Sequence, residues 1–342
     1  MSRISTALTR LLMVDVPIVL APMAIGGTAN LASAVSSAGG FGLMGAGFKS
    51  SKELKENLTF IRQKLGLKAD QFIPVGLGFI GWVLDRTEVS DDPRLHAVLE
   101  EKPRAIWLAF GVDLGKYVAQ IRAYDTKREH KTVIFTIVNS VEDALRAAND
   151  WKVDVLVAQG IEAGGHGSSE APPLFTLLQA VLDALPNGPL VVAAGGVSTG
   201  KQIAALLTMG AAGAVLGTRF LFTEECLYAP AKKEVLLKAG LNSTVRTLAF
   251  DEVGKTMGWP PKCDGRAVAN DITQDVYDGL DLEQRLKKFD ESAAAGESSR
   301  LIVWAGVGVG LTDKIMPAAD VVRDLHHETY ECLKSASNLL KL

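Results

Sequence analysis

The chain alternates between short apolar runs and longer segments with helical spacing. Eight apolar runs occur, at residues 17–23, 41–47, 72–79, 105–110, 132–138, 153–160, 190–196 and 213–220. They are rich in β-branched residues and mostly uncharged, as is typical of strands buried on both faces of a parallel sheet. Eight strand-then-helix units predict an α/β fold closed as a (β/α)₈ TIM barrel.

Helix signals between these runs support the same arrangement. Helical spacing predicts helices at 28–38, 51–65 and 201–209, the last ending at a glycine, and a closing helix from Pro317 onward. Ser140 has the position of an N-cap, with acidic residues in the turn that follows. A doubly wound open sheet is the alternative, but it rarely has eight equal repeats, and no GxGxxG follows the first run.

The pattern changes between residues 226 and 299. This stretch is more charged and contains WPPKCDGR at 259–266, whose prolines argue against a central strand or a long helix there. We therefore expect residues 226–299 to form a lid or substrate domain inserted after the eighth strand. Residues 1–225 and 300–342 would form the barrel.

Composition excludes several classes of function. The chain has 342 residues, 48% of them hydrophobic and 22% charged, with a net charge of −3. The absence of a basic excess argues against nucleic acid as a partner, and no apolar run is long enough for a membrane span. Asp15 and Pro17 interrupt the apolar N-terminal stretch, so we predict no signal peptide.

The cysteines, the histidines and the last three residues indicate whether the protein binds a metal and in which cellular compartment it functions. Cys226, Cys263 and Cys332 are widely spaced and odd in number, and the histidines have no paired-ligand spacing. We therefore expect neither a disulfide framework nor a metal site, and a reducing, cytoplasmic location. The tail Leu340-Lys341-Leu342 weakly resembles a peroxisomal signal, which is the alternative location.

Glycine-rich turns follow the seventh and eighth predicted strands, where barrels often bind phosphate. The first contains Gly195 and Gly196, and the second contains Gly217 and Thr218. Glycines let backbone N–H groups approach anionic oxygens, and the threonine adds a hydroxyl donor. These turns predict a phosphate site.

The sixth predicted strand leads into QGIEAGGHG, which places His166 among three glycines at the barrel mouth. Such a loop can lie close to a planar ligand and present an imidazole suited to proton transfer. Gln159 is a candidate for polar contacts to the ligand, and Glu162 is interpreted as a loop-bracing carboxylate. Ala21, Pro22 and Met23 end the first strand near the centre of the mouth. The other histidines are expected to be surface or packing residues.

These motifs together resemble those of the nitronate monooxygenase family, also called 2-nitropropane dioxygenase. The similarity is carried by PIVLAPM, AGGFGLMGAG, VAQGIEAGGHG, VVAAGGVSTGKQIAALLTMGAAGAVLGTRFL and PAADVV. The combination of AQGxEAGGHG, AAGGV and GTRFL is shared with the flavin-dependent enoyl-ACP reductases. The resemblance runs through nearly the whole chain in order.

The resemblance implies non-covalently bound FMN and assigns a role to each candidate. His166 corresponds to the catalytic histidine, and Gln159 to a contact with the ribityl chain. The backbone of Ala21, Pro22 and Met23 corresponds to the positions against the flavin ring, and Gly164 and Gly165 to positions beside the cofactor. The phosphate-binding positions correspond to Gly195, Gly196, Gly217 and Thr218. Relatives often carry an Asn near the end of strand three and a polar residue on strand five. This chain instead has Gly76–Phe79 and Thr136–Val138, with Thr136 as a candidate substitute donor.

The function implied is oxidation of an alkyl nitronate with molecular oxygen to a carbonyl compound and nitrite. With a neutral nitroalkane, His166 would remove the α-proton. The alternatives are an NAD(P)H-dependent enoyl-thioester reductase and a non-catalytic barrel that binds a flavin or another phosphate ligand. The sequence leaves open whether the protein is a monomer or a homodimer.

Overall fold

The computed structural model describes residues 3–340. Lys341 and Leu342 lie outside the described residues, and with them most of the tail that resembles a peroxisomal signal. Eleven strands are present in the described part of the chain. Their bounds are β1 Ile18–Leu20, β2 Gly42–Gly45, β3 Ile73–Ile80, β4 Pro103–Ala109, β5 Val133–Val138, β6 Val155–Gln159, β7 Gly165–Ser168, β8 Leu190–Ala194, β9 Gly213–Leu216, β10 Thr244–Thr247 and β11 Cys263–Val268.

Eight of these strands form one parallel sheet in the order β1-β9-β8-β6-β5-β4-β3-β2. A parallel bridge between Val19 and Phe41 joins the two ends of that order. The sheet therefore closes into a barrel, and the predicted (β/α)₈ fold is confirmed. Each strand of the barrel overlaps one of the eight apolar runs, although β3 extends past its run to Ile80 and β4 begins before its run, at Pro103.

Helices connect the strands and surround the barrel. Their bounds are α1 Ala7–Leu12, α2 Ala29–Ser37, α3 Ser51–Lys64, α4 Gly81–Thr87, α5 Arg94–Glu100, α6 Gly115–Asp125, α7 Val141–Asn149, α8 Leu174–Ala184, α9 Gly200–Thr208, α10 Thr218–Leu221, α11 Pro230–Lys238, α12 Ala249–Gly254, α13 Asp271–Tyr277, α14 Leu282–Ala294 and α15 Ala318–Ala336, with 3₁₀ turns at Val307–Leu311 and Ser337–Leu340. The Ser140 hydroxyl accepts a hydrogen bond from the Asp143 N–H at 3.0 Å, so the predicted N-cap is confirmed.

Two hydrophobic layers hold the barrel together. The larger lies between the strands and the surrounding helices. The second fills the inside of the barrel at the amino ends of the strands, where Leu8 and Leu12 of α1 pack against Val19, Phe41 and Phe135. α1 thus closes the end of the barrel opposite the mouth.

A second, antiparallel sheet of three strands lies over the mouth in the order β10-β11-β7. β11 covers part of residues 259–266 and is the central strand, so the prediction that this stretch excludes such a strand is wrong. Pro260 and Pro261 precede the strand, and their missing N–H groups are therefore not needed in its ladder. The sheet joins β7, which follows barrel strand β6, to two strands from residues 226–299.

The predicted end of the eighth barrel strand and the predicted start of the last helix also differ from the structure. The apolar run at 213–220 leaves the sheet after Leu216, because the chain turns at Gly217 into the short helix α10. Pro317 is the N-cap of α15 rather than its first residue. Within residues 3–340, no helix is both long and apolar enough to cross a membrane.

Candidate active site

A cavity of about 440 Å³ opens at the carboxyl ends of the barrel strands. Its size is in the range of small-molecule and cofactor sites. All eleven candidate site residues line it, namely Ala21, Pro22, Met23, Gln159, Gly164, Gly165, His166, Gly195, Gly196, Gly217 and Thr218. The residues chosen from separate motifs are therefore brought together in one place.

His166 reaches the cavity from a strand rather than from the loop that the sequence predicts. It lies on β7, the edge strand of the small sheet, directly opposite Gly265 of β11. A Cβ atom at Gly265 would lie 2.3 Å from the Trp304 ring and 3.2 Å from His166 Nε2. The absence of a side chain at this position lets the imidazole and the indole lie against the strand.

The imidazole of His166 is paired with a carboxylate. His166 Nε2 lies 3.0 Å from both Oδ1 and Oδ2 of Asp251. The His166 side chain is 12% exposed and that of Asp251 is fully buried. Since a carboxylate only accepts hydrogen bonds, the pair places the proton of a neutral imidazole on Nε2 and leaves Nδ1 as the acceptor.

Two further donors fix the carboxylate. Asp251 Oδ1 accepts hydrogen bonds from Thr256 Oγ1 at 2.7 Å and from Trp259 Nε1 at 2.9 Å. Asp251 lies on α12, and the chain reverses after this helix through Lys255, which has a positive φ of 55°. That reversal returns Thr256 and Trp259 to the carboxylate, so one short segment supplies the acid and both its donors.

Aromatic rings surround the imidazole. The Trp259 indole stacks on His166 with a centroid distance of 3.4 Å and an interplanar angle of 11°. Trp304 lies at 4.7 Å and Phe110 at 6.3 Å from the same ring. Phe110 directly follows β4 and has a positive φ of 60°, which is uncommon for a residue with a side chain and is often found at functional sites. The imidazole is thus confined on several sides.

The predicted phosphate turns meet at another part of the cavity. Gly195 and Gly196 have φ angles of +116° and +69°, a region that residues with a Cβ rarely adopt. Thr218 Oγ1 accepts a hydrogen bond from the Gly306 N–H at 2.9 Å, so its own proton can be donated to a ligand. Backbone N–H groups and one hydroxyl are therefore the donors available here.

Gln159 links the two parts of the cavity. Its Nε2 donates to the His166 carbonyl at 3.2 Å, and its Oε1 accepts from Asn139 Nδ2 at 3.2 Å. The amide has a second N–H that these bonds leave for a ligand. Glu162 accepts from the Leu174 N–H at 3.0 Å, which confirms its interpretation as a loop brace.

The structure shows what surrounds the two positions, on strands three and five, at which this chain differs from the family pattern. A Cβ at Gly78 would lie 2.3 Å from the Pro22 ring, so no side chain fits there. On β5, Ile137 lines the cavity. Thr136 is fully buried and donates to the Leu108 carbonyl at 2.9 Å, so the hypothesis that it substitutes as a ligand donor is wrong.

The sequence did not identify three of the residues that surround His166. Asp251 reads as an ordinary acid on a helix, and Trp304 as one apolar residue in a glycine-rich run. Trp259 was interpreted only as part of the lid. A buried carboxylate 85 residues from its histidine leaves no local signal in the chain. Within residues 3–340, no cluster of three or more His, Cys, Asp or Glu could hold a metal ion.

The other histidines lie away from the cavity. His96 is exposed and lies 3.4 Å from Glu100, while His327 is exposed on α15. His130 Nε2 bonds to the Pro103 carbonyl at 2.9 Å, and burial lowers the pKa of its imidazole. His326 is buried in the packing of α15.

Comparison with known sequences identifies a family model and relatives that share one named activity. A family model described as nitronate monooxygenase matches residues 5–66 and 80–328. A nitronate monooxygenase from Neurospora crassa is 35% identical, covering 93% of this chain and 90% of that protein. Nitronate monooxygenase npaC from Metarhizium robertsii is 33% identical, covering 93% and 92%.

Solved structures agree with the sequences. FabK from Thermotoga maritima has a TM-score of 0.78 at 27% identity, covering 98% of this chain and all of that one. Nitroalkane oxidase from Streptomyces ansochromogenes has a TM-score of 0.77 at 27% identity, covering 97% and 100%. The family resemblance seen in the motifs is confirmed: the chain belongs to the nitronate monooxygenase family.

Proposed function

We propose that this enzyme uses FMN and molecular oxygen to convert alkyl nitronates to carbonyl compounds and nitrite. The observation that carries the proposal is the His166–Asp251 pair at the wall of a cavity lined by every predicted cofactor-binding residue. The pair is suited to proton transfer and to holding an anion, and a nitronate is the anion formed when a nitroalkane loses its α-proton.

The residues present fit FMN. Gly195, Gly196, Gly217 and Thr218 offer backbone and hydroxyl donors for the phosphate, and Gln159 lies between that end and His166. Ala21–Met23 and Gly164–Gly165 border the part of the cavity beside His166. Bound FMN would supply the electron acceptor that the reaction needs and pass the electrons to oxygen.

His166 has a different task for each substrate form. With a neutral nitroalkane, Nδ1 accepts the α-proton, and the imidazolium that results is stabilised by the buried Asp251 carboxylate. With a nitronate already formed, the protonated ring holds the negative oxygens. Asp251 acts through the imidazole and is therefore a positioning residue.

We also propose that residues 226–299 act as a substrate lid. They supply Asp251, Thr256 and Trp259, all of which lie at the imidazole. The small sheet ties them to β7 and so to His166. Covering the cavity in this way would exclude water from the reacting atoms.

The test is the visible spectrum of the purified protein, followed by anaerobic addition of ethylnitronate or, separately, of NADH. We expect a flavin spectrum that bleaches or shifts with the nitronate and not with NADH, and nitrite once oxygen is admitted. A colourless protein that takes up no FMN would support the alternative of a barrel that binds another phosphate ligand. A flavin spectrum unchanged by every substrate would support the non-catalytic alternative.

A reductase of enoyl thioesters is the second candidate function, because the barrel superposes well on FabK. Rapid anaerobic bleaching by NADH, with no change on addition of ethylnitronate, would favour that function. The nitronate reaction is better supported because the family model and the two fungal relatives carry that name.

We propose a reducing, cytoplasmic location. Cys226 and Cys263 are buried free thiols, and burial raises the pKa of the Cys263 thiol to about 12. Thiols of this kind are inert and need no partner. Cell fractionation with an antibody to the protein tests the location, and recovery in peroxisomes would contradict it.

A further inference from the structure

We propose that Trp259 prepares His166 for proton uptake, because its indole ring fixes the plane of the imidazole and its N–H holds the Asp251 carboxylate. The proposal rests on the function proposed above and adds a positioning residue to it. Trp259 acts through His166 and Asp251 and takes up no proton itself, since an indole N–H is only a donor.

Trp259 contacts both members of the catalytic pair. Its ring is stacked on the His166 ring at a centroid distance of 3.4 Å and an interplanar angle of 11°, and its Nε1 donates to Asp251 Oδ1 at 2.9 Å. Thr256 bonds to the carboxylate, whereas Trp304 lies against the imidazole at 4.7 Å with a tilt of 52°. Of these three neighbours, Trp259 is the one that contacts both the ring and the carboxylate.

The backbone on both sides of Trp259 and the rings around it restrict where the indole can lie. Gly258 has a φ of +144°, and a Cβ atom there would lie 2.9 Å from the Trp82 ring. Two prolines follow at 260–261, and a proline ring fixes φ. Trp82 at 5.7 Å and Phe110 at 5.3 Å then pack edge-on to the indole. The indole is therefore presented to the imidazole in one orientation.

The stacked ring limits the motion of the imidazole and favours its charged form. A hydrogen bond at His166 Nε2 alone lets the imidazole tilt about that bond, whereas a parallel indole in van der Waals contact resists the tilt. Nδ1, the proton acceptor, is thereby held in one direction. The electron-rich face of the indole also attracts the positive charge that the imidazole acquires when Nδ1 takes up a proton.

The indole N–H acts on the other member of the pair. The Asp251 side chain is fully buried, so its charge requires donors in place of water. Trp259 Nε1 and Thr256 Oγ1 supply two of them, and His166 Nε2 supplies the third. A carboxylate held by all three keeps its charge beside the imidazole, where it stabilises the protonated ring.

The experiment removes the ring and the N–H of Trp259 separately in the holoenzyme. Trp259→Leu removes both, so kcat for nitroethane should fall by about tenfold or more, with KM changed by about twofold or less. Trp259→Phe keeps an aromatic ring and loses the N–H, so kcat should fall by only about threefold. Trp151→Phe, at a partly buried tryptophan that does not line the cavity, is the matched control and should change neither value.

Ethylnitronate separates proton uptake from substrate binding. This substrate has already lost its α-proton, so its kcat/KM should change by about threefold or less in Trp259→Leu. Equal losses with nitroethane and ethylnitronate, or a kcat for nitroethane within about twofold of the wild-type value, would overturn the proposal. A Trp259→Phe variant as impaired as Trp259→Leu would also overturn it, because the stacked ring would then contribute nothing.

An NMR measurement on the holoprotein tests the stack without turnover. A parallel indole shifts the ring protons of a stacked imidazole upfield, and His166→Asn assigns the His166 signals. We expect Trp259→Phe to keep most of this shift and Trp259→Leu to lose it, whereas equal shifts in the wild type and Trp259→Leu would overturn the proposal. If the wild-type shift is found but neither nitroethane nor ethylnitronate is oxidised, the imidazole is positioned as proposed and the proposed function fails.

Discussion

The two ends of the barrel interior are built from the same eight strands but are filled in opposite ways. At the amino end, Phe135 stacks between Phe41 and Trp107, with centroid distances of 6.2 and 5.9 Å. At the carboxyl end, small residues leave a cavity of about 440 Å³ that Trp107 also borders. One end is therefore a packed core and the other a binding site.

The two ends of the barrel differ in the size of the residues that face the barrel axis. Toward the mouth, the strands present glycines such as Gly45 and Gly78, where a Cβ would collide with Met23 or Pro22. The reactive side chains at the mouth are supplied by β7 and by residues 226–310 instead. Stability and chemistry are thus separated along the barrel axis, and substitutions at the two ends should have separable effects.

The largest expected effect is the loss of catalytic activity when His166 at the barrel mouth is replaced. His166→Asn removes the proton acceptor, so kcat/KM for nitroethane should fall by about 10²–10⁴-fold, and less for ethylnitronate. Thermal stability and flavin content should change little. His96→Asn, at an exposed histidine outside the cavity, is the matched control. Unchanged turnover of both substrates by the His166 variant would show that another group is the base.

A substitution at the amino end of the barrel should lower the stability of the protein and leave the activity of each folded molecule unchanged. Phe135→Ala removes a fully buried ring and should lower the free energy of unfolding by about 3–5 kcal/mol. Denaturant or thermal unfolding measures the loss, with activity per folded molecule at low temperature as the second readout. A Phe60→Ala control, at a side chain 44% exposed on α3, should cost far less. If Phe135→Ala also abolished nitronate turnover by the folded fraction, the two ends would not be separable.

A substitution of Asp251 tests how this carboxylate orients the His166 imidazole at the barrel mouth. Asp251→Asn turns an acceptor toward Nε2 into a donor, which moves the ring proton to Nδ1 and blocks proton uptake there. We expect kcat/KM for nitroethane to fall by about 10–100-fold, with a much smaller change for ethylnitronate and an altered pH profile.

Thr256→Val is the control for this position, because it removes one hydrogen bond to Asp251 and keeps the carboxylate. It should reproduce only a small part of the loss. Equal losses with nitroethane and ethylnitronate in Asp251→Asn would mean that the carboxylate serves the fold of the lid and not the tautomer.

The smallest effect is expected at the phosphate end. Thr218→Val removes the hydroxyl but keeps the shape, so the Kd for FMN should rise by about fivefold, the equivalent of one hydrogen bond near 1 kcal/mol. Equilibrium dialysis of the apoprotein against FMN measures it. Thr208→Val, whose hydroxyl donates within α9, is the control. No change in Kd would place the phosphate away from Thr218.

Local patterns were enough to predict the barrel and most of the cavity. The strands are buried on both faces, so each leaves a continuous apolar run, and several helices begin at capping residues such as Ser140. Because the carboxyl ends of parallel strands meet at one mouth, residues as distant as Pro22 and Thr218 could be assigned to the same cavity. Strand ends were less certain, since apolar residues continue past Leu216 into α10.

The small sheet and the group around His166 were decided only by the tertiary structure. β11 follows two prolines and contains a glycine, so it becomes a central strand through its pairing with β7 and β10 and not through its own preference. Asp251 and Trp304 reach the imidazole across long stretches of chain, where periodicity and capping carry no information. The sequence by itself determined that His166 and the two glycine turns would border one cavity at the barrel mouth. Folding decided that Asp251 is the carboxylate paired with this histidine, because that contact depends on distance in space and not on spacing along the chain.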